Sequence, residues 1–207
     1  MIALVLLVLA PSSTTFAHRF DALLALDANA SAAPTVDAPP IELVETAPIE
    51  TTLDHADIPN AADVWLEMIG GAKRSIDLAE FYVSDEAPSK LTPVVEALVA
   101  AAARGVKVRF VIEEKFYATY PELPDRFAKL ANVELRRYKA DKGILHAKYF
   151  VVDGRDAFFG SQNFDWRSLE HIQEMGVRLR DPDAVAALAS LFDADFRDQA
   201  SAPAIHA

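Results

Sequence analysis

The stretch His146-Ala147-Lys148-Tyr149-Phe150-Val151-Val152-Asp153, followed six residues on by Gly160-Ser161-Gln162-Asn163, decides how this chain is read. Its centre is a run of aromatic and β-branched residues, so Leu145 to Val152 is predicted as a strand. Asp153-Gly154 then forms a tight turn, with Ala157 to Phe159 as the hairpin partner. Residues i and i+2 of a strand share a face, which sets the His146 imidazole beside the Lys148 ammonium, about 7 Å apart along the chain. Asn163, in the loop after the hairpin, adds a neutral amide donor to the same spot. Imidazole, cation and amide donor together suit a tetrahedral oxyanion, phosphate above all. Imidazole is also a nucleophile that is partly neutral near pH 7. A lone His-x-Lys is usually a solvated strand face; the joint spacing with Asp153 and Gly-Ser-x-Asn carries the reading.

Outward from this stretch the pattern alternates. Asn60 is predicted to cap a helix whose apolar face is Val64, Trp65, Met68 and Ile69, closed by Gly70-Gly71. Ser75 to Val83 reads as a strand. Pro93 starts a helix carrying Val94, Leu98, Ala101 and Ala102 on one side and ending near Gly105. Val106 to Ile112 reads as a strand buried on both faces, Pro124 to Leu130 as a short helix and Val133 to Arg137 as a strand. A short helix around Asp165 to Glu170 leads into a strand from Glu174 to Arg180. Pro182 opens the last helix, with Val185, Leu188, Phe192 and Phe196 facing inward. The expected fold class is α/β, a mixed β-sheet flanked by helices on both faces.

The chain has 207 residues, a formal net charge of −11 and no cysteine. Its length suits one domain with extra segments. Lack of cysteine removes disulfide scaffolds, thiolate metal sites and Cys nucleophiles. So acidic a chain argues against coating nucleic acid. That balance is uneven: Arg104 to Lys148 holds eleven basic and six acidic residues, a local +5 that runs into the motif. This segment either focuses an anionic substrate or is a set of solvated charges. Within it, Lys115-Phe116-Tyr117-Ala118-Thr119-Tyr120 reads as an apolar lip, a stacking platform for bases or ordinary packing. The apolar run Ile2 to Ala10 fits the centre of a secretory signal over residues 1–30, so a secreted or periplasmic location is expected. Residues 31–60, rich in Pro and acids, read as an arm or linker, with Ile41 to Val44 as a candidate edge strand; the domain is expected over 61–200. No run reaches the ~18 apolar residues a transmembrane helix needs.

The motif resembles the signature of the phospholipase D superfamily, H-x-K-x4-D-x6-G-S-x-N, matched without departure at His146, Lys148, Asp153, Gly160, Ser161 and Asn163. Trp65 to Tyr82 resembles the family's opening helix and strand, and the likeness covers about residues 41–198. It implies one half of a phospholipase D-like αβα sandwich. It also implies a catalytic set of His146, Lys148, Asp153, Asn163 and Glu174, with Lys148, Ser161 and Asn163 binding phosphate. His146 would attack phosphorus to form a phosphohistidine while a second histidine protonates the leaving alcohol. Glu174 would orient the imidazole, and Asp153 would hold the turn and frame more than the substrate. No metal and no cofactor is implied.

The family site takes two such motifs about a pseudo-twofold axis, whereas this sequence holds one. His18, His55 and His171 are followed two positions on by Phe20, Asp57 and Gln173, and His206 by the chain end. The expectation is therefore a homodimer with both motifs facing across the axis, against one half of a two-motif protein. The expected substrate is a phospholipid phosphodiester, with single-stranded nucleic acid second and peripheral membrane contact compatible with the first. Outside enzymes, the competing reading is a non-catalytic module that binds phosphate or a membrane surface.

Overall fold

Asn60 starts the first helix. Its side chain accepts from the Ala62 N–H at 3.2 Å, and the helix it caps, α1 (Ala61–Gly71), buries Val64, Trp65, Met68 and Ile69 along one stripe. In the computed structural model, which describes residues 38–198, that stripe covers one face of a mixed sheet. The strands are β1 (Ile41–Thr46), β2 (Ser75–Glu80), β3 (Val83–Ser84), β4 (Lys107–Glu113), β5 (Val133–Tyr138), β6 (Lys148–Val152), β7 (Asp156–Gly160), β8 (Phe164–Asp165) and β9 (Glu174–Leu179). Seven of them form one sheet in the order β1-β9-β7-β6-β2-β4-β5, and β3 pairs with β8 in a separate parallel ribbon. The other helices are α2 (Leu91–Ala103), α3 (Glu114–Tyr117), α4 (Glu122–Ala128), α5 (Trp166–Glu170) and α6 (Pro182–Asp198).

The two faces of the sheet have separate cores. On one, Trp65 meets Phe150, Phe158 and Phe164 at ring distances of 5.7, 5.1 and 5.4 Å, beside Val94, Val95 and Leu98 of α2. On the other, Phe192 and Phe196 of α6 lie against Ala79, Val111 and Tyr149. This is the expected α/β sandwich.

Parallel β2, β4 and β5 end at Glu80, Glu113 and Tyr138, while antiparallel β6 and β9 begin at Lys148 and Glu174. The register sets Glu80 opposite Lys148, Gly160 opposite Gly176 and Thr46 opposite Glu174. The motif residues other than Asp153 therefore gather at the carboxyl end of the parallel strands, where open α/β sheets offer their crevice.

Several sequence expectations shift. The segment Ser75 to Val83 is not one strand: β2 stops at Glu80, and the chain turns away so that Val83 and Ser84 pair with Phe164 and Asp165. The strand expected from Leu145 begins at Lys148, so His146 precedes it. The cause is local. Glu80 is the last residue of β2 and already faces Lys148, and the Leu145 N–H is taken by the Glu113 carboxylate at 2.5 Å. The candidate edge strand Ile41 to Val44 runs on to Thr46 as β1, and the buried Glu45 carboxylate receives the His55 N–H at 2.7 Å. The expected signal over 1–30 lies outside the described residues.

Asp153 lies apart from the other motif residues. It stands at the opposite end of β6, roughly 17 Å from Lys148 at about 3.3 Å per residue. There it opens the hairpin turn with φ 55°, followed by Gly154 at φ 64°. Its carboxylate accepts the N–H groups of Lys73, Arg74 and Ser75 at 3.0, 2.6 and 2.9 Å, clamping the hairpin to the start of β2. Burial opposes its charge, but the three amides outweigh it and hold the carboxyl below its usual value. Asp153→Ala is expected to lower stability by about 2 kcal/mol in urea titration, since three backbone donors lose a charged acceptor. A change below about 0.5 kcal/mol would contradict this clamp.

Candidate active site

Lys148 is the anchor of the site, a lysine with only 8% of its surface exposed. Two carboxyls face it, Glu80 across the β2–β6 ladder and Glu174 at the start of β9. Neither is within ion-pairing distance; Nζ donates instead to the His146 carbonyl at 3.3 Å. Phe81 lies under the ammonium at 5.3 Å from its ring centre. Burial pulls the Lys148 pKa down, while Glu80 and Glu174 pull it back up.

His146 is exposed on the segment leading into β6. Glu113 fixes that segment through the Leu145 N–H, and Lys115 Nζ reaches the Gly143 carbonyl at 3.0 Å. The imidazole meets the Phe81 ring edge to face at 4.6 Å. Partial burial and the charge of Lys148 both lower its pKa. The resting imidazole is therefore neutral near pH 7, the form a nucleophile needs.

Glu174 and Asn163 are joined by a residue the sequence reading missed, Ser168. This fully buried hydroxyl hydrogen-bonds the Glu174 carboxyl and accepts the Asn163 N–H at 3.3 Å. The Asn163 Oδ1 is buried without a partner. Burial pushes the Glu174 carboxyl up to about 7, against the pull of Lys148. Glu174 thus contacts Lys148 electrostatically and Ser168 by hydrogen bond, while the expected Glu174–imidazole bond is absent among the described residues. Ser161 serves the frame: it donates its N–H to the Met175 carbonyl at 3.0 Å and its hydroxyl accepts the Met175 N–H at 3.2 Å, extending the β7–β9 ladder. Gly160 is required by crowding, because a Cβ there would meet the buried Gln162 side chain and lie 2.9 Å from the Gly176 Cα.

Glu80 is the second residue sequence reasoning passed over. It is 1% exposed, accepts the Phe164 N–H, and leaves Oε2 without a partner. Burial drives its carboxyl well above the usual range, against Lys148 and that amide. A carboxylate ending the apolar strand Ser75-Ile76-Asp77-Leu78-Ala79-Glu80 was the available signal. Part of the +5 segment is spent on structure, since two of its arginines pair with acids outside it. Arg109 pairs with Asp77 and Asp193, Arg126 with Glu96, Arg136 with Glu134 and Lys139 with Glu114. The other described histidines are also engaged: His55 with Glu45 at 2.9 Å, and His171 with Glu50 and Glu170.

The raised Glu174 has a consequence for stability. Its carboxyl keeps a proton up to about pH 7 in the folded chain but releases it near 4.5 when unfolded. Between those values the folded chain holds more protons, so this group's contribution to stability falls as pH rises. Comparing urea midpoints across that window, Glu174→Gln is expected to show a flatter decline than the wild type. Identical slopes would contradict the assignment.

The description "Cardiolipin synthase, PLD-like domain" matches residues 65–196. Phospholipase D Z of Dictyostelium discoideum is 33% identical over 150 residues, covering 66% of this chain and 35% of that protein. The 5'-3' exonuclease PLD3 of Rattus norvegicus is 31% identical over 180 residues, covering 80% of this chain and 36% of that protein. The chain thus spans about a third of the length of these relatives. Among solved structures, the phospholipase D family member Nuc from Salmonella typhimurium shares the fold with a TM-score of 0.62 and 22% identity, over 81% of this chain and 98% of that one. The sandwich, the motif at one end of it and the match across residues 65–196 lead to one conclusion: this chain belongs to the phospholipase D superfamily.

Proposed function

We propose that this chain cleaves a phosphodiester at phosphorus, with His146 as the nucleophile and a second copy of the chain completing the site. The observation that supports this most is a neutral, exposed imidazole held beside the buried cation Lys148. A neutral imidazole nitrogen attacks phosphorus; the N–P bond forms as the P–O bond to the leaving alcohol breaks. Lys148 and the Asn163 amide hold the non-bridging oxygens as charge gathers on them. The leaving oxygen takes its proton from the second histidine, His146 of the other copy, which enters the step as the imidazolium while the attacking imidazole is neutral. That residue then removes a proton from water, which attacks phosphorus and frees the first His146. The second copy is needed because the other described histidines are held by carboxylates.

Both substrate classes expected from the sequence share this chemistry, and relatives are named for each, a phospholipase D and a 5'-3' exonuclease. Export of the chain belongs to the same proposal, resting on Ile2 to Ala10.

The full chain is expected to sediment as a dimer and to hydrolyse bis-p-nitrophenyl phosphate. His146→Asn should lower turnover about a thousandfold or more with unchanged circular dichroism. Full activity in that variant, or turnover by a strict monomer, would contradict the proposal.

A further inference from the structure

Beside His146 the chain builds a column of aromatic rings. Phe81 meets His146 on one side and Phe116 on the other, at 4.6 and 4.0 Å. Phe116, Tyr82 and Tyr120 then follow in near-parallel planes, with ring centres 6.1 and 5.1 Å apart and interplanar angles of 27° and 26°. Phe116 and Tyr120 come from the segment after β4, Tyr82 from the chain leaving β2; all three are half-buried. Tyr120 ends the column. Among the described residues its ring stacks on Tyr82 alone, and its hydroxyl lies near Arg167, which itself is held by Asp165 at 2.9 and 2.8 Å.

Resting on the phosphodiesterase reading above, we infer that the Tyr120 end of this column is a stacking subsite for an unpaired nucleobase of a strand that runs from there to the phosphate at His146, which makes single-stranded nucleic acid the substrate class. A stacked column that ends in a half-exposed ring accepts one more flat π system, and every base has such a face. A base reaches it only when unpaired, which selects single strands. A nearby charge agrees. Exposed Lys115 adjoins Phe116 and attracts a phosphate backbone, while the Arg167 guanidinium near Tyr120 is paired with Asp165. Lys115 opposes a quaternary ammonium headgroup, which is bound by aromatic faces arranged as a cage and not by near-parallel rings. Aliphatic side chains suited to an acyl chain are missing from the column.

The test uses the full-length His146→Asn protein, so that binding is read without cleavage. Fluorescence anisotropy compares a labelled thymidine oligomer with an oligomer of the same length made of abasic sites. The thymidine strand is expected to bind roughly five- to a hundredfold more tightly, the range that base–aromatic stacking supplies. Adding Tyr120→Ala should bring the ratio of the two affinities close to one, and Tyr120→Phe should restore it. A ratio near one without Tyr120→Ala, or a ratio that survives it, overturns the subsite. Wild-type turnover is then measured on the oligomer and on phosphatidylcholine vesicles. Base-dependent binding with no turnover of either substrate overturns the phosphodiesterase reading and leaves the subsite standing. Turnover of vesicles that falls with Tyr120→Ala, without base-dependent binding of the oligomer, overturns the nucleic-acid class.

Discussion

The pairing of Glu80 with Lys148 across the β2–β6 ladder is the constraint on which the rest depends. It buries a lysine at the mouth of the sheet and sets a carboxyl opposite it, in a place where neither forms a close ion pair. An uncompensated ammonium in a poorly solvated site is costly unless something anionic arrives. Glu80 and Glu174 lower that cost without cancelling the charge, because burial pushes both carboxyls toward the protonated form. The ammonium is thereby left without a close counter-charge, and its field helps keep His146 neutral.

Because Glu80 ends β2, the ladder stops at Lys148 and the preceding residues are released from the sheet. His146 is thus carried on a segment that Glu113 and Lys115 tie down from β4 and α3. The same ending sends Phe81 and Tyr82 out of the sheet and onto the rings of Phe116 and Tyr120. One register therefore positions the His146 imidazole, the Lys148 ammonium and the aromatic column. At the far end of β6, Asp153 locks that register by binding the amides that open β2.

Much of this was legible in the sequence, for physical reasons that can be named. Asn60, Trp65 and the Val-rich run through Val108 report their surroundings through capping and burial, which are local or periodic. The motif's spacing reported His146, Lys148 and Asn163 because a hairpin of fixed length brings them to one end of the sheet. The four residues between Lys148 and Asp153 run the length of β6, so the place of Asp153 in the hairpin turn was legible as well. Glu80 and Ser168 were not legible, since each acquires its role from a partner far along the chain, Lys148 for one and Glu174 for the other. The charge count from Arg104 to Lys148 overstated the field at the site, because pairs such as Arg109 with Asp77 form only in the fold. The loop from Lys115 to Tyr120 was visible as aromatic, but its alignment with Tyr82 was not.

The central claim is that His146 forms a covalent bond to phosphorus. Mass spectrometry of protein quenched in base during turnover of bis-p-nitrophenyl phosphate tests it directly, since phosphohistidine survives base and is lost in acid. The account predicts an acid-labile phosphoryl adduct on the peptide that carries His146, absent from His146→Asn. Turnover with no adduct at that position, or an adduct on another side chain, would contradict it.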